Sequence, residues 1–156
     1  GSRITTNIRE DKGYTYSPYS SILNRRGISV WTESADVTSE HTLASLQEIE
    51  KEIKRLQDEP PSADELKGIQ NYLAGIFVLQ NSSPGGIIGQ LQFLDKHGLP
   101  DSYLTSFVKN INSITPEQVS AITKKYLDYK KMMIVMVGDQ NAIKKQIEAK
   151  GAKKAF

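Results

Sequence analysis

The chain has 156 residues, of which 38% are hydrophobic, and this is enough for one globular domain with a full core. Its 20 Lys and Arg residues against 18 Asp and Glu residues leave a formal charge of +2, which indicates neither a nucleic acid nor an anionic membrane surface as partner. The absence of cysteine excludes disulfides, thiolate metal sites and cysteine nucleophiles. Without a run of about 18 apolar residues or a signal-peptide pattern, the sequence predicts no membrane span.

The first segment combines the end of a helix with the start of a strand. Ile4 and Ile8 have the spacing of one helical face, and Gly13 is placed where that helix would end, because glycine accepts the left-handed conformation found there. If the chain reverses at Gly13, three strand residues cover about 10 Å and the last helical turn about 5 Å. Arg9 and Tyr16 can then reach one surface, where a guanidinium and a phenol face a common ligand.

The next residues predict a β-hairpin and then a series of helices. Residues 14–24 and 28–34 are rich in Tyr, Ser, Thr, Val and Ile and are joined by a short turn at 25–27. Apolar residues at spacings of three and four from Ser39 predict a long amphipathic helix that Pro60-Pro61 ends, with Glu48 and Glu52 on its hydrated face.

Several capping signals mark the later helices. Ser62 with Glu65 has the pattern of a capping box, Ser83-Pro84 opens a segment that ends at Gly98, and Asp101 is placed to cap a short helix. Thr115-Pro116 opens another helix, which is expected to bury Val119, Ile122 and Tyr126. A lysine-rich last helix is predicted over residues 141–156 and is interpreted as solvated.

Residues 132–137 form a continuous apolar run between lysines and Gly138-Asp139, which predicts a strand buried on both faces inside the sheet. Together these elements predict the α+β class, with helices over a mostly antiparallel sheet. The chain is expected to be a single domain over residues 1–156. Whether Gly1-Ser2 are native residues or a cloning remnant is left open.

The sequence contains no motif for catalysis by this chain alone. His41 and His97 have no second histidine or carboxylate at the spacing of a helical zinc site, so the surface role is favoured for both. Neither a Gly-x-Ser-x-Gly elbow nor a dinucleotide loop after a strand is present. We expect no metal site and no cofactor within these residues.

Residues 1–17, Gly-Ser-Arg-Ile-Thr-Thr-Asn-Ile-Arg-Glu-Asp-Lys-Gly-Tyr-Thr-Tyr-Ser, resemble the C-terminal domain of pitrilysin-type, insulinase-like zinc peptidases of the bacterial, processing-peptidase-like kind. Gly98-Leu99-Pro100, residues 114–119 and residues 134–139 resemble later segments of the same domain. The resemblance implies the LuxS/processing-peptidase-like metallopeptidase fold. It also implies that two homologous domains face each other across a chamber, with zinc held by the other domain through an H-x-x-E-H motif.

By this resemblance, Arg9 and Tyr16 are the substrate-binding residues that the second domain contributes. Arg9 would hold the substrate backbone or a carboxylate, and Tyr16 would donate its phenol to the oxyanion that develops at the zinc-bound carbonyl. The implied partners are a zinc-binding peptidase domain and a peptide substrate. Bacterial relatives favour the cell envelope or periplasm over the cytoplasm.

The resemblance further implies a domain that is truncated at its N-terminus, so that the chain represents about the later two-thirds of it. An open sheet edge would then favour self-association. The alternative function is a homologue without proteolytic activity that serves as an assembly or peptide-binding scaffold.

Overall fold

A computed structural model describes residues 2–149 of the chain. The N-terminal residues form a short helix α1 (Arg3–Thr5) that runs directly into a π-helical turn (Thr6–Asp11). An antiparallel hairpin follows, made of β1 (Tyr19–Arg25) and β2 (Ile28–Ser34). The remaining helices are α2 (Thr42–Asp58), α3 (Ala63–Gln80), α4 (Pro84–His97), α5 (Ser102–Asn112), α6 (Pro116–Tyr126) and α7 (Gln140–Ala149). Two 3-10 turns, Ser39–His41 and Tyr129–Lys131, complete the described elements.

The described residues group into two compact units. The first unit contains residues 2–23, 30–58 and 123–149, and the second contains residues 24–29 and 59–122. The single domain over residues 1–156 stays a prediction.

In the first unit, α1 and the π-helical turn pack on α2. The buried apolar side chains here include Ile4, Ile8 and Leu43. Helix α7 packs on the start of α2, where the Gln146 side chain accepts from the Leu43 N–H at 3.1 Å and donates to the Ser39 carbonyl at 2.6 Å. Because the first N–H groups of a helix lack intrahelical acceptors, Gln146 replaces a local cap at this end of α2.

In the second unit, α3 packs on α5. The rings of Phe77 and Phe107 are stacked with their centroids 4.4 Å apart. The Gln70 side chain is buried and donates to the carbonyls of Ile111 and Ile114, at 3.0 Å each, which satisfies the C-terminal end of α5.

Four of the capping predictions are confirmed and one is wrong. The Ser62 and Ser83 hydroxyls accept from the N–H groups of Glu65 and Gly86, and Gly98 is left-handed with φ 64°. Thr115 and Gln118 cap each other reciprocally. Asp101 precedes α5, but its side chain makes no capping hydrogen bond because its own backbone is already helical, with φ −56° and ψ −31°.

The α+β class is confirmed, and the first strand starts later than the sequence predicts. β1 begins at Tyr19 rather than at residue 14, because Pro18 has no N–H group to donate to a ladder. Thr15 instead forms an isolated antiparallel bridge with Val37. The chain therefore makes two separate pairings on either side of Pro18.

The prediction of a buried strand over residues 132–137 is wrong for the described chain. Residues 132–137 belong to no helix and no strand, and Val137 is 96% exposed. A strand needs a neighbour to accept its hydrogen bonds, and no other described strand lies beside this segment. Within residues 2–149 the sheet expected around this apolar run is not present, and Met133, Val135 and Val137 are exposed.

The buried face of α6 also differs from the predicted one. Ile122 and Tyr126 are exposed, whereas Ser120 and Thr123 are buried. On the buried side the Gln57 side chain donates to the carbonyls of Thr123 and Leu127, at 3.5 and 2.8 Å. This polar contact, and not apolar periodicity, sets which side of the last turn of α6 is covered.

Within residues 2–149, every helix is too short or too polar to cross a lipid bilayer.

Candidate functional site

The structure brings Arg9 and Tyr16 together. Gly13 is left-handed with φ 63°, as predicted, and it turns the chain back after the π-helical turn. Its N–H donates to the Arg9 carbonyl at 3.1 Å, and the next N–H, that of Tyr14, donates to the Ile8 carbonyl at 2.9 Å. The Arg9 guanidinium carbon consequently lies 5.0 Å from the centroid of the Tyr16 ring, a distance at which a cation is attracted to the aromatic face.

The π-helical turn fixes the position of Arg9 through the buried residue before it and the backbone hydrogen bonds around it. Ile8, the residue before it, is 0% exposed, and the Lys12 N–H donates to the Asn7 carbonyl five residues earlier at 3.2 Å. Such wide turns cost hydrogen-bond geometry and occur often at functional sites. Here the wide turn lets Ile8 stay in the core while Arg9 stays at the surface.

Arg9 and Tyr16 line an open cavity of about 670 Å³. Tyr16 is 80% exposed, so its phenol is accessible to a molecule that enters from solvent. The full lining is Arg9, Glu10, Gly13, Tyr14, Thr15, Tyr16, Asp36, Val37 and Thr38. The cavity is therefore shared between the N-terminal turn and the loop that follows the hairpin.

The loop after the hairpin is tied to the tyrosine segment by several contacts. Thr15 is buried, and its hydroxyl donates to the Asp36 carbonyl at 2.7 Å. The Thr38 N–H donates to the Tyr14 carbonyl at 3.1 Å. Since both bonds use the backbone of the loop, the far wall of the cavity is held at a fixed distance from Tyr16.

Tyr14 and Tyr19, the other two tyrosines of this segment, occupy different environments. The Tyr14 ring is stacked on the His41 ring, with centroids 4.3 Å apart and an angle of 16° between the planes. The His41 Nδ1 atom also lies 2.7 Å from the Thr38 hydroxyl. Tyr14 thus packs as part of the wall, whereas Tyr16 is the phenol beside Arg9, and Tyr19 is an exposed residue of β1.

The acidic residues around the cavity shape its electrostatics. The Arg9 Nε atom lies 3.4 Å from a Glu10 carboxylate oxygen, at the surface. This contact occupies one edge of the guanidinium, and because the group has five N–H donors, the others remain for a ligand. An exposed ion pair of this kind contributes little energy but restricts the orientation of the side chain.

A buried polar cluster behind the site was not predicted from the sequence. The Asn7 side-chain amide donates to Glu48 at 2.9 Å and to Glu52 at 2.7 Å. Glu52 is only 5% exposed, so the interpretation of Glu48 and Glu52 as a hydrated face is wrong. The reason is that α2 turns this face toward the π-helical turn, where Asn7 supplies hydrogen-bond donors that the carboxylates need when they leave water.

Basic residues complete this cluster. Lys12 lies 3.6 Å and Lys51 lies 3.3 Å from Glu48, and Arg55 lies 3.4 Å from Glu52. The hydrogen bond from Asn7 is the largest effect on Glu48 and, with Lys51 and Lys12, it holds the pKa of that carboxyl below its usual value. The turn that carries Arg9 is therefore fastened to α2 by charge-assisted hydrogen bonds. The only signal in the sequence was an asparagine inside an otherwise helical turn.

No group of three or more His, Asp or Glu side chains within residues 2–149 is arranged to hold a metal ion. His97 contacts the Phe93 ring in α4, with the two ring centroids 4.5 Å apart.

Comparisons with known proteins agree with the resemblance seen in the sequence. Residues 1–73 match the family model of the peptidase M16 inactive domain. The solved structure of a peptidase M16 inactive domain from Pseudomonas fluorescens is similar, with a TM-score of 0.75 and 27% sequence identity over 82% of this chain. No curated protein matches the chain.

The family-model match covers residues 1–73 and the structural similarity to a peptidase M16 inactive domain extends over most of the chain, in agreement with the resemblance found in the sequence. The matched segment contains Arg9, Tyr16, Asn7 and both carboxylates of the cluster behind them. The chain spans 30% of the length of the Pseudomonas fluorescens chain.

Proposed function

We propose that this chain is a non-catalytic part of a zinc metalloendopeptidase, and that its open cavity is one wall of the chamber that holds the peptide substrate. The zinc ion would be held by a paired peptidase domain, in the same polypeptide or in another subunit. The observation that carries the proposal is the placement of the Arg9 guanidinium 5.0 Å from the Tyr16 ring, at a cavity of about 670 Å³.

The chemistry of the pair suits an extended peptide. A guanidinium binds carbonyl and carboxylate oxygens through charge-assisted hydrogen bonds, often two at once. Arg9 is held from one side by Glu10 and from another by the Tyr16 ring, so little side-chain freedom is lost when a ligand binds. In this proposal Arg9 orients the backbone or terminal carboxylate of the peptide.

Tyr16 would stabilise the negative charge that develops on the carbonyl oxygen of the substrate. A phenol that donates a hydrogen bond to an oxyanion stabilises the transition state more than the ground state, because the negative charge on the oxygen is larger there. The high exposure of Tyr16 leaves its hydroxyl accessible to a group presented from across the chamber. Such a role requires the paired domain, so the isolated chain is not expected to cleave peptides.

The proposal is tested by point variants in the assembled peptidase that contains this chain. We expect Tyr16→Phe to lower kcat by about 100-fold or more, as the removal of other oxyanion donors does, with a small change in KM. Arg9→Ala is expected to raise KM for a peptide substrate and also to lower kcat, because orientation is lost. The zinc content of both variants should equal that of the parent enzyme.

Matched controls separate the site from general surface effects. Tyr19→Phe removes the same hydroxyl from an exposed tyrosine of β1, and Arg26→Ala removes the same charge from the hairpin turn. Both should leave turnover unchanged. Unaltered turnover in Tyr16→Phe and Arg9→Ala would contradict the proposal, and an assembly without any peptidase activity would favour the scaffold function.

A further inference from the structure

His41 contacts both sides of the cavity without lining it itself. It ends the 3-10 turn Ser39–His41, directly before α2, and its side chain is 38% exposed. The sequence favours a surface role for this histidine. In the structure, the imidazole instead has one partner in the tyrosine segment, the Tyr14 ring, and one in the far wall, the Thr38 hydroxyl. Both partners line the cavity.

The two contacts use different parts of the imidazole. Its face stacks on the Tyr14 ring, with the centroids 4.3 Å apart and the planes at 16°, and such aromatic pairs stabilise beyond the area that they bury. Its edge places Nδ1 2.7 Å from the Thr38 hydroxyl oxygen. This is a hydrogen bond in either tautomer, because a hydroxyl can both donate and accept. One side chain therefore joins a ring on one side of the cavity to a hydroxyl on the other.

The backbone hydrogen bonds between the two sides do not fix these side chains. The Thr38 N–H donates to the Tyr14 carbonyl at 3.1 Å, and the His41 N–H donates to the Thr38 carbonyl at 2.9 Å. Such bonds set the distance between the two segments but leave several staggered rotamers open to each side chain. Because the His41 ring contacts both side chains, it restricts the rotamers that they present to the cavity.

Helix α2 is thereby connected to the cavity at two points. Along the helix, the carboxylates bound by Asn7 hold the π-helical turn that carries Arg9. At its start, His41 holds the ring of Tyr14, two residues before the phenol of the site. The same helix therefore supports the guanidinium from behind and the tyrosine segment from the side of the far wall.

We propose that His41 is a positioning residue of the peptide-binding cavity, which holds the Tyr14 ring and the Thr38 hydroxyl in the arrangement that an incoming peptide meets. This inference rests on the function proposed for Arg9 and Tyr16. A wall that is ordered before binding needs no further ordering when the peptide enters, so the affinity is higher than with a mobile wall. His41 itself touches no peptide atom in this proposal and takes no part in the chemical step.

The kinetics of the assembled peptidase separate positioning from catalysis. We expect His41→Ala to raise KM for a fluorogenic peptide by about three- to tenfold, because a stacked pair and a hydrogen bond are lost and the wall is then ordered only on binding. The kcat value should stay within about twofold of the parent value, because the bound complex keeps its arrangement around Tyr16. A loss of folded protein would give the opposite pattern, a lower apparent kcat at an unchanged KM.

Two conservative variants separate the contacts of His41. His41→Phe keeps a ring for Tyr14 and loses the polar atom beside Thr38. His41→Asn loses the ring and keeps a polar atom as many bonds from the backbone as Nδ1. Each should recover part of the KM increase of His41→Ala. His97→Ala is the matched control, because His97 also contacts an aromatic ring, that of Phe93 in α4, and it should leave KM unchanged.

Hydrogen exchange in the same assembly tests the order of the far wall without any substrate. The N–H groups of Thr38 and His41, which are hydrogen-bonded in the parent chain, should exchange at least about tenfold faster in His41→Ala, because local opening becomes easier. The N–H groups of α4 should exchange at the parent rate. Mass spectrometry of peptic fragments that cover residues 36–41 and 84–97 measures both.

Three results would overturn the proposal. Unchanged exchange in His41→Ala would show that the far wall does not depend on this side chain. Faster exchange with an unchanged KM, in a peptidase where Arg9→Ala raises KM, would limit His41 to local stability and leave the function of Arg9 intact. If Arg9→Ala and Tyr16→Phe also left turnover unaltered, or if the assembly cleaved no peptide, the proposed function would fail together with this role of His41.

Discussion

The π-helical turn and residues 132–137, called the bare strand because the sequence predicts a strand there, are both short segments with aliphatic side chains. The first segment is packed and hydrogen-bonded, whereas the second is exposed. In the turn, Ile8 is fully buried and the backbone is hydrogen-bonded on both sides of Arg9. In the bare strand, Val137 is almost fully exposed and the backbone of residues 133–138 is unpaired within the described chain. The difference lies in the neighbours that each segment has, and not in its own hydrophobicity.

The turn has a dedicated neighbour in α2. Asn7 reaches two carboxylates on that helix, and Lys12 reaches one of them from the other end of the turn. These contacts are made by side chains about forty residues apart in sequence, and they hold the segment that presents Arg9. No equivalent side-chain hydrogen bond or ion pair fastens the bare strand to another element within residues 2–149.

The largest expected effect comes from truncating the buried aliphatic side chain of the turn. Ile8→Ala should destabilise the chain by about 2–5 kcal/mol, because it removes buried methyl groups and leaves a cavity. Val137→Ala is the matched control in the bare strand, and it should change the free energy of unfolding by less than about 0.5 kcal/mol in dilute solution. Urea unfolding of monomeric samples measures both. Equal losses in the two variants would show that the bare strand is buried in solution and would remove the contrast.

Most helices and the relation of Arg9 to Tyr16 could be predicted from the sequence, because both depend on local signals. Gly13 ends the first turn by its left-handed backbone, and Ser62 and Ser83 cap their helices through N–H groups three residues away. Such interactions reach only a few residues along the chain. That Arg9 and Tyr16 reach one surface followed from the same local reasoning, since only seven positions separate them.

What could not be predicted depends on distant neighbours. Apolar periodicity shows which face of a segment suits burial, but not whether a partner is present to bury it, and residues 132–137 illustrate this limit. Glu52 is the opposite case, because this charged residue becomes buried beside Asn7, which is distant in sequence. The far wall of the cavity, from Asp36 to Thr38, is twenty or more positions after Tyr16 in the sequence and carries no motif.

The next largest effect is expected at the cluster that fastens the turn. Asn7→Ala removes two hydrogen bonds to carboxylates and leaves Glu52 short of a donor, so it should cost about 1.5–3 kcal/mol. Asn110→Ala removes an exposed hydrogen bond to Ser106 and serves as the control, with a loss below about 0.5 kcal/mol. Thermal unfolding of both variants compares them under one condition. If Asn7→Ala were as stable as the control, the hydrogen bonds of Asn7 would not contribute to holding the turn.

In the peptidase assembly proposed above, the same variant also tests whether stability of the turn affects substrate binding. Loosening the turn should move Arg9 without changing any residue of the cavity, so Asn7→Ala is expected to raise KM in the direction of Arg9→Ala but by a smaller factor. A variant that lost stability and kept an unchanged KM would limit the role of Asn7 to folding.

The smallest expected effect is a difference between two carboxyl groups in how each changes the folding stability of the chain with pH. This difference tests the electrostatics of the cluster. The hydrogen bond from Asn7, with help from Lys51 and Lys12, lowers the pKa of Glu48, so its stabilisation is present above the unfolded pKa and is lost as the pH falls through the lower folded pKa. Burial raises the pKa of Glu33 in β2, against the opposing effect of its hydrogen bond from Ser20. Ionised Glu33 therefore works against folding, and the chain gains stability from this group as the pH falls through the raised folded pKa.

Glutamine variants at the two positions should consequently change stability with opposite signs between pH 7 and pH 4. Glu48→Gln should destabilise the chain more at pH 7 than at pH 4, because only the ionised carboxylate gains from Asn7 and the lysines. Glu33→Gln should be more favourable at pH 7 than at pH 4, because it removes a charge that is costly only when ionised. Urea unfolding at the two pH values gives both differences. Parallel pH profiles for the two variants would mean that Glu48 is not held by Asn7 in solution, and the turn would then differ from the bare strand only in its packing.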